Sequence, residues 1–133
     1  MLSKPDIVVS STDYNRLGAM LDNLPQTEIT DLLTAELERA RILEAGQMPP
    51  DVVMMHTTVK FTVLSTGRES TYTLAYPREV NGSDDKLSVL TPVGSALIGM
   101  SVGQEIEWPL PGGKATRVRI DKVLCQPEVS KAG

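Results

Sequence analysis

A chain of 133 residues suits one compact unit with a small appendage, and 41% apolar with 23% charged residues is the balance of a globular protein. The net charge of −4 argues against a broad phosphate-binding face, because nucleic-acid affinity depends on clustered lysine and arginine; it permits a basic protein partner. With only Tyr14, Phe61, Tyr72, Tyr76 and Trp108 as aromatics, the core must be aliphatic, and a roomy aromatic-lined ligand pocket is not expected.

Ile7-Val8-Val9 is a short β-branched run that reads as a lone strand or extended entry. Ser10, Ser11 and Thr12 then offer helix caps. A helix is expected from Asp13 to Asn23, with Tyr14, Leu17, Leu21 and Leu24 forming its apolar stripe. Leu24-Pro25-Gln26 ends it. Thr27 and Thr30 both suit the cap of a second helix, expected from Asp31 to Glu44, whose stripe is Leu33, Leu37, Ala40 and Leu43. Narrow stripes on two helices joined by a few residues predict an antiparallel hairpin, a short coiled coil with its own seam.

Gly46 and Pro49-Pro50 break the helical pattern, so the hairpin is assigned residues 1–48 and a second domain residues 49–133. From there the pattern alternates. Val59, Phe61 and Val63 share one face of a strand, and Tyr72, Leu74 and Tyr76 one face of the next, with a turn at Ser65-Thr66-Gly67-Arg68. Pro77 ends that strand, and Asn81-Gly82 is a tight turn before a short strand from Lys86 to Leu90. Ile106 and Trp108 face inward on a strand opened by Gly103. Pro111-Gly112-Gly113 turns into the last strand, Ala115 to Leu124, where the apolar phase slips near Asp121-Lys122 and predicts a bulge. A frayed tail is expected from Gln126 to Gly133.

Between these strands lies Thr91-Pro92-Val93-Gly94-Ser95-Ala96-Leu97-Ile98-Gly99, a helix with both ends written into it. Thr91 suits the N-cap, Pro92 the first helical position and Gly99 the left-handed residue that ends the turn. So short and apolar a helix must be pressed against a sheet. The fold class is therefore α+β: an antiparallel helical hairpin, then a mostly antiparallel five-strand sheet curled over one short helix.

Leu87 to Gly99, then Val102-Gly103 and Pro111-Gly112-Gly113, resemble the C-terminal domain of the bacterial Gre transcript-cleavage factors. With Met48-Pro49-x-Asp51-Val52-Val53, the chain from Pro5 to Glu128 is similar to the Rnk family, short-armed Gre-like proteins named for regulating nucleoside diphosphate kinase. The resemblance implies an FKBP-like second domain and a non-enzymatic transcription regulator. Such a protein would bind RNA polymerase near its secondary channel and compete with longer-armed factors, with an effect on nucleoside diphosphate kinase. It also implies that the partner grips the residues before the central helix, here Leu90, Thr91 and Pro92.

Gre arms carry tip carboxylates that help hold a catalytic Mg²⁺, and the matching tip here has Asp22, Glu28 and Asp31. Glu28 and Asp31 are better explained as acids favouring the positive end of the second helix. A cleavage cofactor using Glu28 and Asp31 is the alternative to docking without cleavage. Nothing else points to catalysis. His56 is the sole histidine, without a phosphate loop or a triad, and is expected to be structural or exposed. Cys125, the sole cysteine, has no catalytic partner motif and reads as a half-buried structural thiol; it excludes an intrachain disulfide. Prolyl isomerase chemistry wants more aromatic walls than this chain has. No cofactor and no metal are expected. The first residues lack the apolar core of a signal peptide, and no apolar run approaches the ~20 residues that span a membrane. A cytoplasmic monomer with a protein partner, without direct nucleic-acid binding or membrane contact, is the expectation.

Overall fold

A computed structural model describes residues 6–80, 82, 84–109 and 115–126. Strand β1 (Val8–Ser10) leads into helix α1 (Ser11–Asp22), capped by the Ser10 hydroxyl, which accepts a hydrogen bond from the Asp13 amide at 3.1 Å. Helix α2 (Glu28–Arg39) starts with a reciprocal cap: Thr27 Oγ1 accepts from the Thr30 amide, and Thr30 Oγ1 from the Thr27 amide.

The second helix is shorter than its apolar stripe suggested. Ala40 is extended, and Arg41–Leu43 forms strand β2, which pairs in parallel with β1. Leu37, Ala40 and Leu43 fit a helical period, but the Arg41 amide donates to the Ile7 carbonyl at 2.9 Å, and this pairing wins over one more helical turn. β1 is therefore not a lone strand.

Beyond a single turn at Ala45–Gln47 come β3 (Thr58–Val63), β4 (Arg68–Ala75), the short helix α3 (Pro77–Val80), β5 (Lys86–Ser88), α4 (Pro92–Leu97), β6 (Glu105–Pro109) and β7 (Ala115–Cys125). The sheet order is β5-β4-β3-β7-β6, antiparallel except for the β4–β5 pair. The expected bulge is present. Phe61 pairs with Ile120 and Lys60 with Lys122, so Asp121 is the extra residue. The Pro111-Gly112-Gly113 turn, Asn81, the Cys125 side chain and the tail beyond Gln126 lie outside the described residues. Gln126 itself is not frayed: its amide nitrogen donates to the carbonyls of Pro49 and Val52, both at 2.8 Å.

Helix α4 has the ends expected of it. Thr91 Oγ1 accepts from the Gly94 amide at 3.0 Å, Pro92 occupies the first turn, and Gly99 follows with φ +80°. Gly94 is required by space, since a Cβ there would overlap the Ser88 carbonyl oxygen. Gly99 is a junction as well as a cap. Its N–H donates to the Val53 carbonyl at 2.8 Å, and its carbonyl accepts from the Val8 N–H at 3.1 Å.

Both N-terminal helices join this assembly. Leu17, Leu33 and Leu37 belong to the same buried cluster as Val53, Met55, Ala96, Leu97 and Trp108, and α2 packs against α4. The apolar stripes thus close a common core instead of forming an independent seam. Helices of 12 residues are marginal alone, so burial against the sheet-and-helix layer is what holds them.

A polar tie reinforces the seating. Asp13 Oδ2 accepts a hydrogen bond from the Met55 amide at 3.0 Å, 42 residues along the chain. Burial raises the Asp13 carboxyl above the ordinary aspartate range, against the Met55 amide and the Ser10 hydroxyl, which pull it down. The folded chain therefore holds this proton more tightly than the unfolded chain. The group costs stability at neutral pH and returns it as pH falls through the raised value.

Two outcomes are expected. Leu17→Ala will remove about 2–5 kcal/mol from the unfolding of the whole chain; in urea, Trp108 fluorescence and far-UV circular dichroism will shift together. An unmoved Trp108 transition would mean that the helices fold apart from the sheet. Asp13→Asn keeps an acceptor for Met55 without the charge, so its stability relative to the parent will rise as pH climbs from about 4 to about 7. A difference that stays constant across that range in urea titrations would contradict the buried-carboxyl assignment.

Candidate functional site

The segment before α4 is built from its own backbone. Thr91 Oγ1 donates to the Ser88 carbonyl at 2.7 Å while accepting from Gly94, and the Leu90 amide donates to Ser88 Oγ at 3.1 Å. Leu90, Thr91 and Pro92 are each half-buried, so the rigid cap leaves an edge on the surface. The Thr91 hydroxyl is already engaged twice within the chain, which makes the apolar parts of Leu90 and Pro92 the freer contacts.

At the other end of the helices, Asp22, Glu28 and Asp31 are all exposed. Asp22 and Asp31 border one shallow depression across the hairpin tip, whereas Glu28 lies outside it. Gln26 Nε2 donates to Asp31 Oδ1 at 3.0 Å, and Glu28 and Asp31 both sit in the first turn of α2. Among the described residues, no three carboxylate, histidine or cysteine groups converge as a metal site would require.

Sequence reasoning missed a polar cluster where α1 meets the end of β4. His56 has φ +66°, the one left-handed non-glycine among the described residues, in a turn where the Thr57 amide donates to the Met54 carbonyl. That backbone sets the imidazole edge-on to Tyr76, with ring centroids 5.6 Å apart, and brings Nε2 within 2.8 Å of Glu79 Oε1. The same carboxylate oxygen accepts from the Tyr76 amide at 2.9 Å. Burial alone would raise the Glu79 carboxyl; the Tyr76 amide and His56 outweigh it and hold the carboxyl below its usual range. Burial, helped by the negative charge of Asp13, pushes the Tyr76 phenol up to about 12. The partners are 23 residues apart for His56 and Glu79, with no local spacing to announce them. His56 was expected to be structural or exposed; it is half-exposed and tied to Glu79.

Beside this cluster runs a groove of about 630 Å³ between α1 and the β4–α3 corner. Met20 and Leu24 line one wall, Tyr76 and Arg78 the other; Arg16 and Leu90 also border it. Leu90 thus belongs both to the segment before α4 and to the groove. The few aromatics of the composition do not preclude a pocket here, because methionine and leucine supply most of its apolar lining.

Comparison with known proteins agrees with this architecture. Residues 48–124 match the family described as "Transcription elongation factor, GreA/GreB, C-term", and residues 5–43 match "Rnk N-terminus". The chain is 41% identical over 97% of its length to "Regulator of nucleoside diphosphate kinase" of Escherichia coli K12, covering 96% of that protein. It is 36% identical to "Transcription elongation factor GreA" of Syntrophus aciditrophicus, over 61% of this chain and 50% of that one. Among solved structures, "Prokaryotic transcription elongation factor GreA/GreB from Nitrosomonas europaea" superposes with a TM-score of 0.71 at 48% identity, over 90% of this chain and 98% of that one. A Gre-type C-terminal domain preceded by a short Rnk-type helical segment, matched along nearly its whole length by a regulator of nucleoside diphosphate kinase, places this chain in the GreA/GreB family of transcription factors, in its Rnk branch.

Proposed function

We propose that the protein docks on RNA polymerase near the secondary channel and competes there with longer-armed Gre factors, without stimulating transcript cleavage. Membership of the Gre family supports the partner, and the short helices support the absence of cleavage. Each helix has 12 residues, roughly 18 Å at 1.5 Å per residue, and part of that length is spent against the core. The carrying observation is this burial of Leu17, Leu33 and Leu37, because helices fixed along the body have little length left to project inward.

In this reading residues 49–133 grip the partner and residues 1–48 occupy space at the entrance. Leu90 and Pro92 supply apolar contact, and Thr91 keeps the edge rigid through its bonds to Ser88 and Gly94. Glu28 and Asp31 favour the positive end of α2, and with Asp22, at the close of α1, they stay clear of the polymerase metal. Any influence on nucleoside diphosphate kinase then runs through transcription.

The test is capture of core polymerase by the purified chain, with and without a Gre factor as competitor. Leu90→Asp, at a half-buried position packed on the core, is expected to weaken capture by about tenfold or more in a chain whose thermal transition shows that it still folds. RNA in backtracked complexes is expected to keep its length when the protein is added. Absence of binding and competition would sink the docking reading. Shortened RNA whose production stops with Glu28→Ala or Asp31→Ala would replace it with a cleavage cofactor.

A further inference from the structure

The groove between α1 and the β4–α3 corner carries charge that the fold leaves unspent. Among the other arginines, Arg39, Arg117 and Arg119 each lie within 4.0 Å of a carboxylate, from Glu36, Glu107 and Asp121 respectively, whereas Arg41 and Arg68, which do not border the groove, have none among the described residues. Arg16 and Arg78 enter the groove from opposite walls, and neither has a carboxylate within ion-pair distance among the described residues. Glu79, the acid on the wall, already has Oε1 committed to His56 and the Tyr76 amide. The unpaired charge is therefore positive, on a chain whose net charge is −4.

Two further features make this more than a basic patch. The Tyr76 hydroxyl, a buried atom on the groove wall, has the Arg16 guanidinium as its side-chain neighbour, which positions that group at the groove. Met20, Leu24 and Leu90 give the groove an apolar lining, and its volume of about 630 Å³ falls inside the roughly 300–1,000 Å³ range of small-molecule sites.

We propose that this groove binds a phosphorylated small molecule of nucleotide size. Arg16 and Arg78 hold the phosphate oxygens, and the apolar body lies along Met20, Leu24 and Leu90. Guanidinium forks match phosphate oxygens and are less heavily hydrated than ammonium groups, which favours a phosphate in a groove bordered by two arginines. Because Leu90 is shared with the segment before α4, an occupied groove would also change the surface offered to a protein partner.

The test titrates the full ¹⁵N-labelled chain with adenosine monophosphate, pyrophosphate and adenosine, followed by amide shifts and calorimetry. Adenosine monophosphate is expected to saturate, moving the amides of Arg16, Leu24, Arg78 and Leu90. Each fragment alone is expected to bind at least about tenfold more weakly. The Arg16→Ala/Arg78→Ala pair is expected to weaken binding about 10–100-fold. Both side chains are exposed, so its thermal transition should stay in place, and Arg78→Ala alone, on a four-residue helix, provides a second variant. Three results would each overturn the proposal: no saturable shift at millimolar adenosine monophosphate, shifts unchanged by the arginine variants, or pyrophosphate binding as tightly as the nucleotide. None of these readouts involves polymerase, so failure here leaves the docking reading standing, and loss of docking leaves this one.

Discussion

Everything in this molecule depends on the burial of Leu17, Leu33 and Leu37 in the core that also contains Val53, Met55, Ala96 and Leu97. A pair of short helices cannot supply its own stability, and a small curled sheet needs its open face covered. Each requirement answers the other. Gly99 completes the joint, because only a residue free to take φ +80° can end α4 while bonding to Val53 on one side and Val8 on the other. A Cβ there would also press on Ile7.

This joint determines what the N-terminal part can do. Asp13 is fixed to Met55, so the start of α1 is pinned and the exposed end is the turn from Asn23 to Thr27. Position along the chain thus becomes position in space: carboxylates at one extremity, the Leu90–Pro92 edge beside the body, and an apolar-lined groove bordered by two arginines between α1 and the sheet corner. His56 accepts an uncommon backbone conformation there and gains the Glu79 pair and the Tyr76 ring in exchange. The cluster holds α3 against the turn that carries Met55, beside the groove that Leu90 borders.

Local chemistry was legible in the sequence wherever it acts over a few residues. Thr91, Pro92 and Gly99 mark the ends of α4 because caps, fixed φ and left-handed turns are single-residue properties. The slipped phase around Asp121 announced its bulge for the same reason, and the inward faces of Ile106 and Trp108 followed from alternation. Tertiary pairing was not legible. Arg41–Leu43 fits a helical period and becomes a strand only because β1 lies beside it. The stripe of Leu33 and Leu37 is compatible with a private seam or a shared core, and periodicity cannot choose between them. The Asp13–Met55 and His56–Glu79 contacts span 42 and 23 residues, so no spacing rule reaches them. The residues offered for docking came from family resemblance, whereas the groove came from geometry alone.

Native-state hydrogen exchange tests the shared core most directly. If the helices and the sheet form one cooperative unit, the amides of Leu17, Leu33 and Leu37 will exchange only through global unfolding, as slowly as those of Phe61 and Ile120. Exchange of the three leucines through a low-energy local opening, with Phe61 and Ile120 still protected, would contradict the account and restore a helical arm that moves on its own.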